Sequence, residues 1–336
     1  MKILSVVVPA YNSEDYLHRA VDSLLSGAGD VEIIIVNDGS TDKTEEIANQ
    51  YQEAYPDTVK VVHQKNGGHG DAVTTGLYAA TGRYFKVVDS DDWVNESAYQ
   101  RVIKQLKQLT NNRQVDMLVT NYVYEKVGAF HKKRVTYKRA IPENKVFGWN
   151  ETKLRQGNYL LVHSIIFKTD LLKRINLHLP RHTFYVDNLF VFEPMHYVKR
   201  IYYLNVDFYR YFIGREDQSV NENKMIEQID QQLFVNKKMI ELYSSNQVED
   251  ESCRQYLFQF LEIVTTVSSV LALKSNTEED LWKKEMLWNY IEILDPDLYA
   301  QLRKRFLGAL LSRKGFGIRY FVLRIYKTCQ RIYGFN

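Results

Sequence analysis

Cysteine and proline are both scarce here: two cysteines and six prolines among 336 residues. Cys253 and Cys329 lie far apart and form no metal-ligand spacing, so neither a disulfide framework nor a zinc site is indicated, and a reducing compartment fits best. With 45% apolar and 25% charged residues and only 16 glycines, the chain is neither collagenous nor disordered. Long apolar runs are lacking as well. No window offers the ~18 uncharged apolar residues of a membrane span. The longest candidate, Leu257 to Leu273, contains Glu262, Thr265, Thr266, Ser268 and Ser269 and reads as a buried helix. The apolar run in MKILSVVVPAYN is too short for a signal peptide.

Acidic residues are missing from the end of the chain. After Asp297 there is no Asp or Glu, yet nine of the 44 lysines and arginines lie there, from Arg303 to Arg331. The formal net charge of +3 therefore divides into a −6 body, 35 basic against 41 acidic residues over 1–297, and a +9 tail. At 100° per residue, Ile318, Phe321, Val322, Ile325, Tyr326, Cys329, Ile332 and Tyr333 share one side of a helix, with Arg319, Arg324, Lys327 and Arg331 on the other. Such a helix suits an anionic membrane surface, at about 1 kcal/mol per basic residue near the lipid. The plain alternative is a helix packed on the body or on a second copy of the chain. A nucleic-acid partner is not expected, because no recognised binding motif accompanies the charge.

Short β-branched runs stand at 3–8, 31–36, 59–63 and 84–88, separated by segments of helical spacing such as Leu17, Ala20, Val21, Leu24 and Leu25. Strand alternating with helix predicts an α/β fold over the first ~120 residues, a doubly wound, mostly parallel sheet buried on both faces. After Leu118 an aromatic and basic alternation suggests a hairpin or irregular excursion. From Asn221 onward the periodicity is helical, with breaks near 244–247, 275–277, 295–296 and 315–317. The expected organisation is a nucleotide-type sheet domain over 1–220, in halves 1–120 and 121–220, a helical domain over 221–312 and the basic helix over 313–336.

Ligands bind such sheets at the carboxyl ends of the strands, and three polar clusters fall there: Pro9-Ala10-Tyr11-Asn12, Asn37-Asp38-Gly39-Ser40 and Asp89-Ser90-Asp91-Asp92. One such cluster is ordinary turn chemistry; three on one edge point to a site. Three carboxylates in four residues repel one another unless a cation or hydrogen-bond donors offset them. A hard divalent ion, Mn²⁺ or Mg²⁺, held by one or two carboxylates and a substrate diphosphate would do so. The alternative is that Asp89 or Asp92 merely caps a helix near Asn95. Asn66-Gly67-Gly68-His69-Gly70 precedes a helix expected over 72–80, whose N-terminus is an anion site. His69 reads as a loop hydrogen-bonder.

Taken in order, VVVPAYNSEDYL, VNDGSTDKT, NGGHG and KVVDSDDW resemble the N-terminal half of family 2 glycosyltransferases with the GT-A fold, strongly over 3–110 and more weakly over 158–220. The resemblance implies a bacterial polysaccharide or cell-wall enzyme that moves a hexosyl or N-acetylhexosaminyl group from a nucleotide sugar, usually a UDP-sugar, with inversion and a divalent metal. Carried over by position, Pro9, Tyr11 and Asp38 resemble base and ribose contacts. Asp89 and Asp91 are the acids of a DxD motif, with Asp91 the metal ligand and Ser90 between them at the donor. Phe184 to Phe190 is similar to the family's Glu-Asp-x-x-Phe segment and makes Asp187 the general base, although Val186 replaces the usual acid. The alternative for Asp187 is a simple helix cap. Tyr209-Arg210-Tyr211 with Gly214-Arg215 and Gln218-Ser219 resembles a segment that closes on the donor diphosphate, implying contacts from Arg210, Arg215 and Ser219.

Where many relatives carry Ala-Arg-Asn after the glycine loop, this chain has Ala72-Val73-Thr74, so Arg83 or Lys65 is the expected substitute cation. The Gln-x-x-Arg-Trp pattern of processive synthases is absent, which favours single-sugar transfer to a glycan or lipid-linked acceptor. The expected location is cytoplasmic, with the tail on the inner face of the plasma membrane. Rival readings are a sugar-phosphate nucleotidyltransferase, disfavoured because Pro9-Ala10-Tyr11-Asn12 stands where its Gly-rich signature belongs, and a non-catalytic glycan-binding protein on the same fold. If the tail anchors the chain, deleting residues 313–336 should abolish co-sedimentation with anionic vesicles; undiminished sedimentation of the truncated chain would reject the anchor.

Overall fold

Strand β1 (Leu4–Ala10) is buried at all seven residues and pairs in parallel with β2 (Val31–Asp38), buried at all eight, as two-sided burial of a β-branched run requires. The computed structural model describes residues 2–27, 29–112, 114–126, 132–155, 157–214, 222–245, 248–312 and 322–324. They fall into two units, one of Met1–Leu154 with Leu160–Arg215, the other of Arg155–Tyr159 with Glu216–Asn336.

In the first unit, helix α1 (Leu17–Leu25) returns the chain between β1 and β2, burying the stripe Leu17, Ala20, Val21 and Leu24. Each leucine so buried contributes roughly 1.5–3 kcal/mol. Helix α2 (Thr44–Ala54) leads to β3 (Val59–Gln64), parallel to β2. Helix α3 (His69–Ala79) then carries the chain back to β4 (Tyr84–Val87) on the far side of β1. The order β3-β2-β1-β4 reverses direction between β1 and β4, which is where an open α/β sheet forms its ligand crevice.

Beyond β4 come β5 (Trp93–Val94), α4 (Glu96–Asn112), β6 (Met117–Lys126), β7 (Lys133–Val135), β8 (Val146–Phe147) and β9 (Ile165–Lys168). Helices α5 (Thr169–Arg174) and α6 (Asp187–Met195) precede the long β10 (Ile201–Ile213). β9 runs antiparallel to both β4 and β6, while β10 is parallel to β6 and antiparallel to β5 and β8, so this half of the sheet is mixed. Of the two expectations after Leu118, a hairpin or an irregular excursion, the antiparallel pairing of a hairpin is found: a regular strand runs through Lys126 and β7 pairs antiparallel with it.

The second unit is helical: α7 (Glu222–Glu227), α8 (Ile229–Ser245), α9 (Glu251–Ser275), α10 (Glu278–Leu294), α11 (Pro296–Lys304) and α12 (Phe306–Leu311). Three of the sequence breaks coincide with helix ends. Asp250 caps α9 by accepting from Ser252 and Cys253 N–H, Asn276 ends it with a left-handed backbone, and Asp295 and Pro296 start α11. α9 is long and apolar enough to cross a membrane, but 72% of that stretch is buried within the protein. Its polar residues are paired with neighbouring helices: Ser268 with Gln232 (3.0 Å), Thr265 with Asn236 (3.0 Å) and Ser269 with Trp288 (3.1 Å). Of the basic helix at 313–336, only 322–324 lie among the described residues.

The seat of α3 on β1 depends on Gly76, where an added Cβ would lie 2.3 Å from Val7 Cγ1. Gly76→Ala is expected to cost about 1–3 kcal/mol through overpacking, read as a lower denaturant midpoint with unchanged slope; an unchanged midpoint would contradict the close approach.

Candidate functional site

Parallel pairing brings the carboxyl ends of β1, β2 and β4 to one edge, and side chains stitch the three polar clusters together. Asn12, held at φ +47°, accepts from Thr41 N–H at 2.8 Å, and its own N–H donates to Ser40 Oγ at 3.1 Å. Ser13 Oγ lies 2.7 Å from Ser90 Oγ, tying the first cluster to the acidic one. Pro9 is buried within β1, whereas Tyr11 is 52% exposed on the edge itself.

Asp38 is buried at the end of β2 and organises the glycine loop. One carboxylate oxygen accepts from Gly67 N–H (2.8 Å) and Gln64 Nε2 (2.7 Å), the other from Gly68 N–H (2.8 Å). Gly68, at φ +82°, turns the chain directly into α3, which begins at His69, three residues earlier than the spacing suggests. The loop is braced from behind by His182 N–H donating to Gly67 C=O at 2.7 Å. The same segment delivers Arg181, which pairs with Asp71 at 2.8 Å and is largely exposed. Sequence reasoning missed this cation; its place after a proline, far from the loop in sequence, gave no signal. Lys65 is exposed at the end of β3, on the same edge. Arg83 immediately precedes β4, so it sits at the amino edge, away from the loop, and cannot be the substitute cation.

His69, in the first turn of α3, lies between two acids from distant elements. Its Nε2 is 2.9 Å from Asp89 Oδ1 and its Nδ1 3.7 Å from Asp187 Oδ1. Burial works against the imidazolium, but the Asp89 hydrogen bond and the charges of Asp187, Asp89 and Asp91 carry its pKa up to about 9. Burial likewise opposes the Asp89 carboxylate, and His69, with His163 and Lys86, more than offsets this and brings it to about 2. Asp187 opens α6 without capping it. It is reached through a segment with two left-handed residues, His182 and Tyr185. Poor solvation raises its pKa above the ordinary value, with Asp89 adding and His69 opposing.

The acids of the turn after β4 point to different partners. Asp92 N–H donates to Asp89 C=O at 3.0 Å, closing the turn. Asp92 is buried, accepting from Tyr209 OH (2.5 Å) and from Phe212 N–H (2.7 Å). Burial and then Asp91 and Asp89 push its pKa well above the carboxylate range. Asp91 is half-buried, and Arg19, stacked 3.8 Å over Trp93, donates to its backbone carbonyl at 2.9 Å. Neither Asp89 nor Asp92 caps α4. That role falls to Asn95, whose Oδ1 accepts from Ala98 N–H at 3.0 Å.

Beneath the acids, Lys86 is fully buried. It donates to the carbonyls of Val162 (2.6 Å) and His163 (3.0 Å) and stands 4.7 Å from the Tyr209 ring centroid. His163 is 7% exposed, stacked on Tyr211 at 4.2 Å, and its Nδ1 has no hydrogen-bond partner among the described residues. One ligand atom each from Asp89, Asp92 and His163 lies within 4.8 Å of the others. Burial lowers His163 to about 3, leaving a neutral imidazole lone pair. Oxygens of Asp89 and Asp92 with the unpartnered Nδ1 of His163 are a donor set that fits a divalent cation.

Arg210 is engaged with Glu125 at 3.1 Å, while Arg215 and Ser219 lie outside the described residues. Pro9, Tyr11, Asp38, Asn66, Gly67, Gly68, Asp89, Ser90, Asp91 and Asp187 all come from the carboxyl edge and the loops above it.

Residues 5–168 match the model of Glycosyl transferase family 2. The uncharacterized glycosyltransferase EpsJ of Bacillus subtilis (strain 168) is 41% identical over 107 residues, 32% of this chain and 31% of that protein. The aligned part thus spans about a third of that relative. The protein EpsH of the same organism is 25% identical over 286 residues, 80% of this chain and 76% of its own. S. aureus TarS 1–349, solved with UDP, superposes with a TM-score of 0.70 at 21% identity, covering 98% of this chain and 92% of that one; it has also been solved with UDP-GlcNAc. That likeness establishes the GT-A fold.

Lys86 offers a pH test separate from catalysis. Burial lowers its pKa from 10.5 to about 7, with Asp89 and Asp92 opposing. Between those values the unfolded chain binds the proton that the folded chain has released, so stability rises with pH across the window. Wild type should therefore gain on Lys86→Met from about pH 7 to 10, measured by chemical denaturation; a pH-independent difference would contradict a buried, depressed lysine.

Proposed function

Because residues 5–168 belong to glycosyl transferase family 2, we propose that the chain moves one hexosyl or N-acetylhexosaminyl group from a UDP-sugar to a glycan or lipid-linked acceptor, inverting the anomeric carbon. The observation that carries this reading is the approach of Asp89 and Asp187, 98 residues apart, to opposite nitrogens of His69 at the carboxyl edge of the sheet. TarS, solved with UDP and with UDP-GlcNAc, supports the choice of donor class.

The donor diphosphate is to lie against the N-terminus of α3, where the helix end favours an anion. Arg181 and Lys65 supply positive charge at that loop. Asp89 and Asp91, with the buried pair Asp92 and His163 behind them, are the residues that would hold a divalent cation. Bound there, it would offset the negative charge that develops on the departing nucleoside diphosphate. His69, protonated below about pH 9, keeps Asp89 ionised and adds positive charge beside the diphosphate.

Asp187 takes the proton of the acceptor hydroxyl. As that oxygen forms its bond to the anomeric carbon, the bond to the β-phosphate oxygen breaks, and its electron pair leaves with the nucleoside diphosphate. A carboxylate whose pKa is raised above its ordinary value by poor solvation is a stronger base for this, and general-base assistance contributes about 10²–10⁴-fold. Attack from the face opposite the leaving group inverts the configuration.

The test is a screen of UDP- and GDP-sugars for Mn²⁺-dependent turnover by wild type and Asp187→Asn. Turnover with a UDP-sugar, lost at least 10²-fold in Asp187→Asn while donor binding persists, is expected. Near-normal turnover by the variant removes Asp187 as base. No turnover with any donor by the folded chain overturns the transferase reading in favour of a binding protein.

A further inference from the structure

The basic end of the chain has a second place to act, one that the transfer chemistry does not use. In the helical unit, the end of α8, the first turns of α9 and the end of α11 enclose an open cavity of about 480 Å³, the size range of small-ligand pockets. Its positive charge comes from Arg254, Lys304 and Arg305, against a single acid in the lining, Glu251. Two of these belong to the acid-free segment after Asp297.

The guanidinium groups are held in place. Arg254 stands 5.2 Å from the Tyr243 ring centroid; Arg305 stands 5.4 Å from the Phe258 ring centroid, with its Nε 3.6 Å from Glu262. Both rings are buried, so the guanidinium planes rest on fixed platforms and give up less freedom when they bind. With its aromatic faces already covered, the cavity offers positive charge and the side-chain amides of Gln255 and Gln301 rather than a bare stacking surface. Planar guanidinium forks match phosphate and carboxylate oxygens, and amides match hydroxyls.

We propose that this cavity binds an anionic saccharide, taking a phosphate or carboxylate on Arg254 and Arg305 and neighbouring hydroxyls on Gln255 and Gln301. The site is independent of the transfer reading, because it is assayed by binding alone, without donor or turnover.

Calorimetric titration of the full chain with a phosphodiester-linked oligosaccharide, its dephosphorylated counterpart, a uronate oligosaccharide and phosphatidylglycerol vesicles tests it. Wild type should bind the phosphorylated or the uronate oligosaccharide at least tenfold more tightly than the neutral one. Arg254→Gln with Arg305→Gln should lose at least tenfold in that affinity while keeping the wild-type thermal midpoint. Lys304→Gln, exposed and free of packing demands, should lose a smaller factor if the double variant proves unstable. Equal affinity in wild type and variants, no preference for the charged oligosaccharides, or Arg-dependent binding of vesicles alone would overturn the proposal.

Discussion

Four acids, Asp89, Asp91, Asp92 and Asp187, share one cleft, and their mutual repulsion is the constraint the sheet unit is built around. Two unit charges 4 Å apart at an effective dielectric near 20 interact by about 4 kcal/mol, a large fraction of the stability of any domain. The protein sorts the acids by environment. Asp89 is kept ionised by His69, Asp92 is buried against Tyr209 and Phe212 with its pKa driven up, and Asp187 remains on the accessible side of His69. Lys86 compensates from below, and a divalent cation held by the acids would complete the balance.

This arrangement explains features that otherwise look costly. A fully buried lysine would be poor design in an apolar strand, yet Lys86, protonated below about pH 7, places a cation under Asp89 and Asp92 while satisfying the carbonyls of Val162 and His163. Left-handed backbone at His182 and Tyr185 carries local strain of order 1–3 kcal/mol each, and the segment so bent delivers His182 to the glycine loop and Asp187 to His69. Tyr209, from the last strand of the sheet, accepts from Asp89 N–H and donates to Asp92, so the acidic turn is locked to an element 120 residues away.

The strands of the parallel half were legible because burial on both faces leaves continuous β-branched runs, and the rule that ligands gather at carboxyl ends then pointed to the edge where these acids come together. Local sequence could not say where short side chains point. Asp38 is expected at the nucleotide, and in the structure both its oxygens hold the loop together, accepting from Gln64, Gly67 and Gly68. His69 resembled turn filler inside NGGHG because both of its acidic partners come from elsewhere in the chain, 20 and 118 residues further on. Lys86, His163 and Arg181 carried no local signal, since their roles come from β9, β10 and the loop before α6 packing around the acidic turn. The second half of the sheet was harder to read for the same reason: its antiparallel insertions depend on pairings between distant segments rather than on local periodicity.

The central claim is that the acids have separate tasks, with Asp187 taking a proton in a single displacement and the acids after β4 serving the donor. The most direct measurement is the anomeric configuration of the transferred sugar, read by proton NMR coupling constants in the first-formed product. Configuration opposite to that of the donor is the predicted result. A product that retains the donor's configuration would contradict the claim, because retention cannot arise from one in-line attack assisted by Asp187.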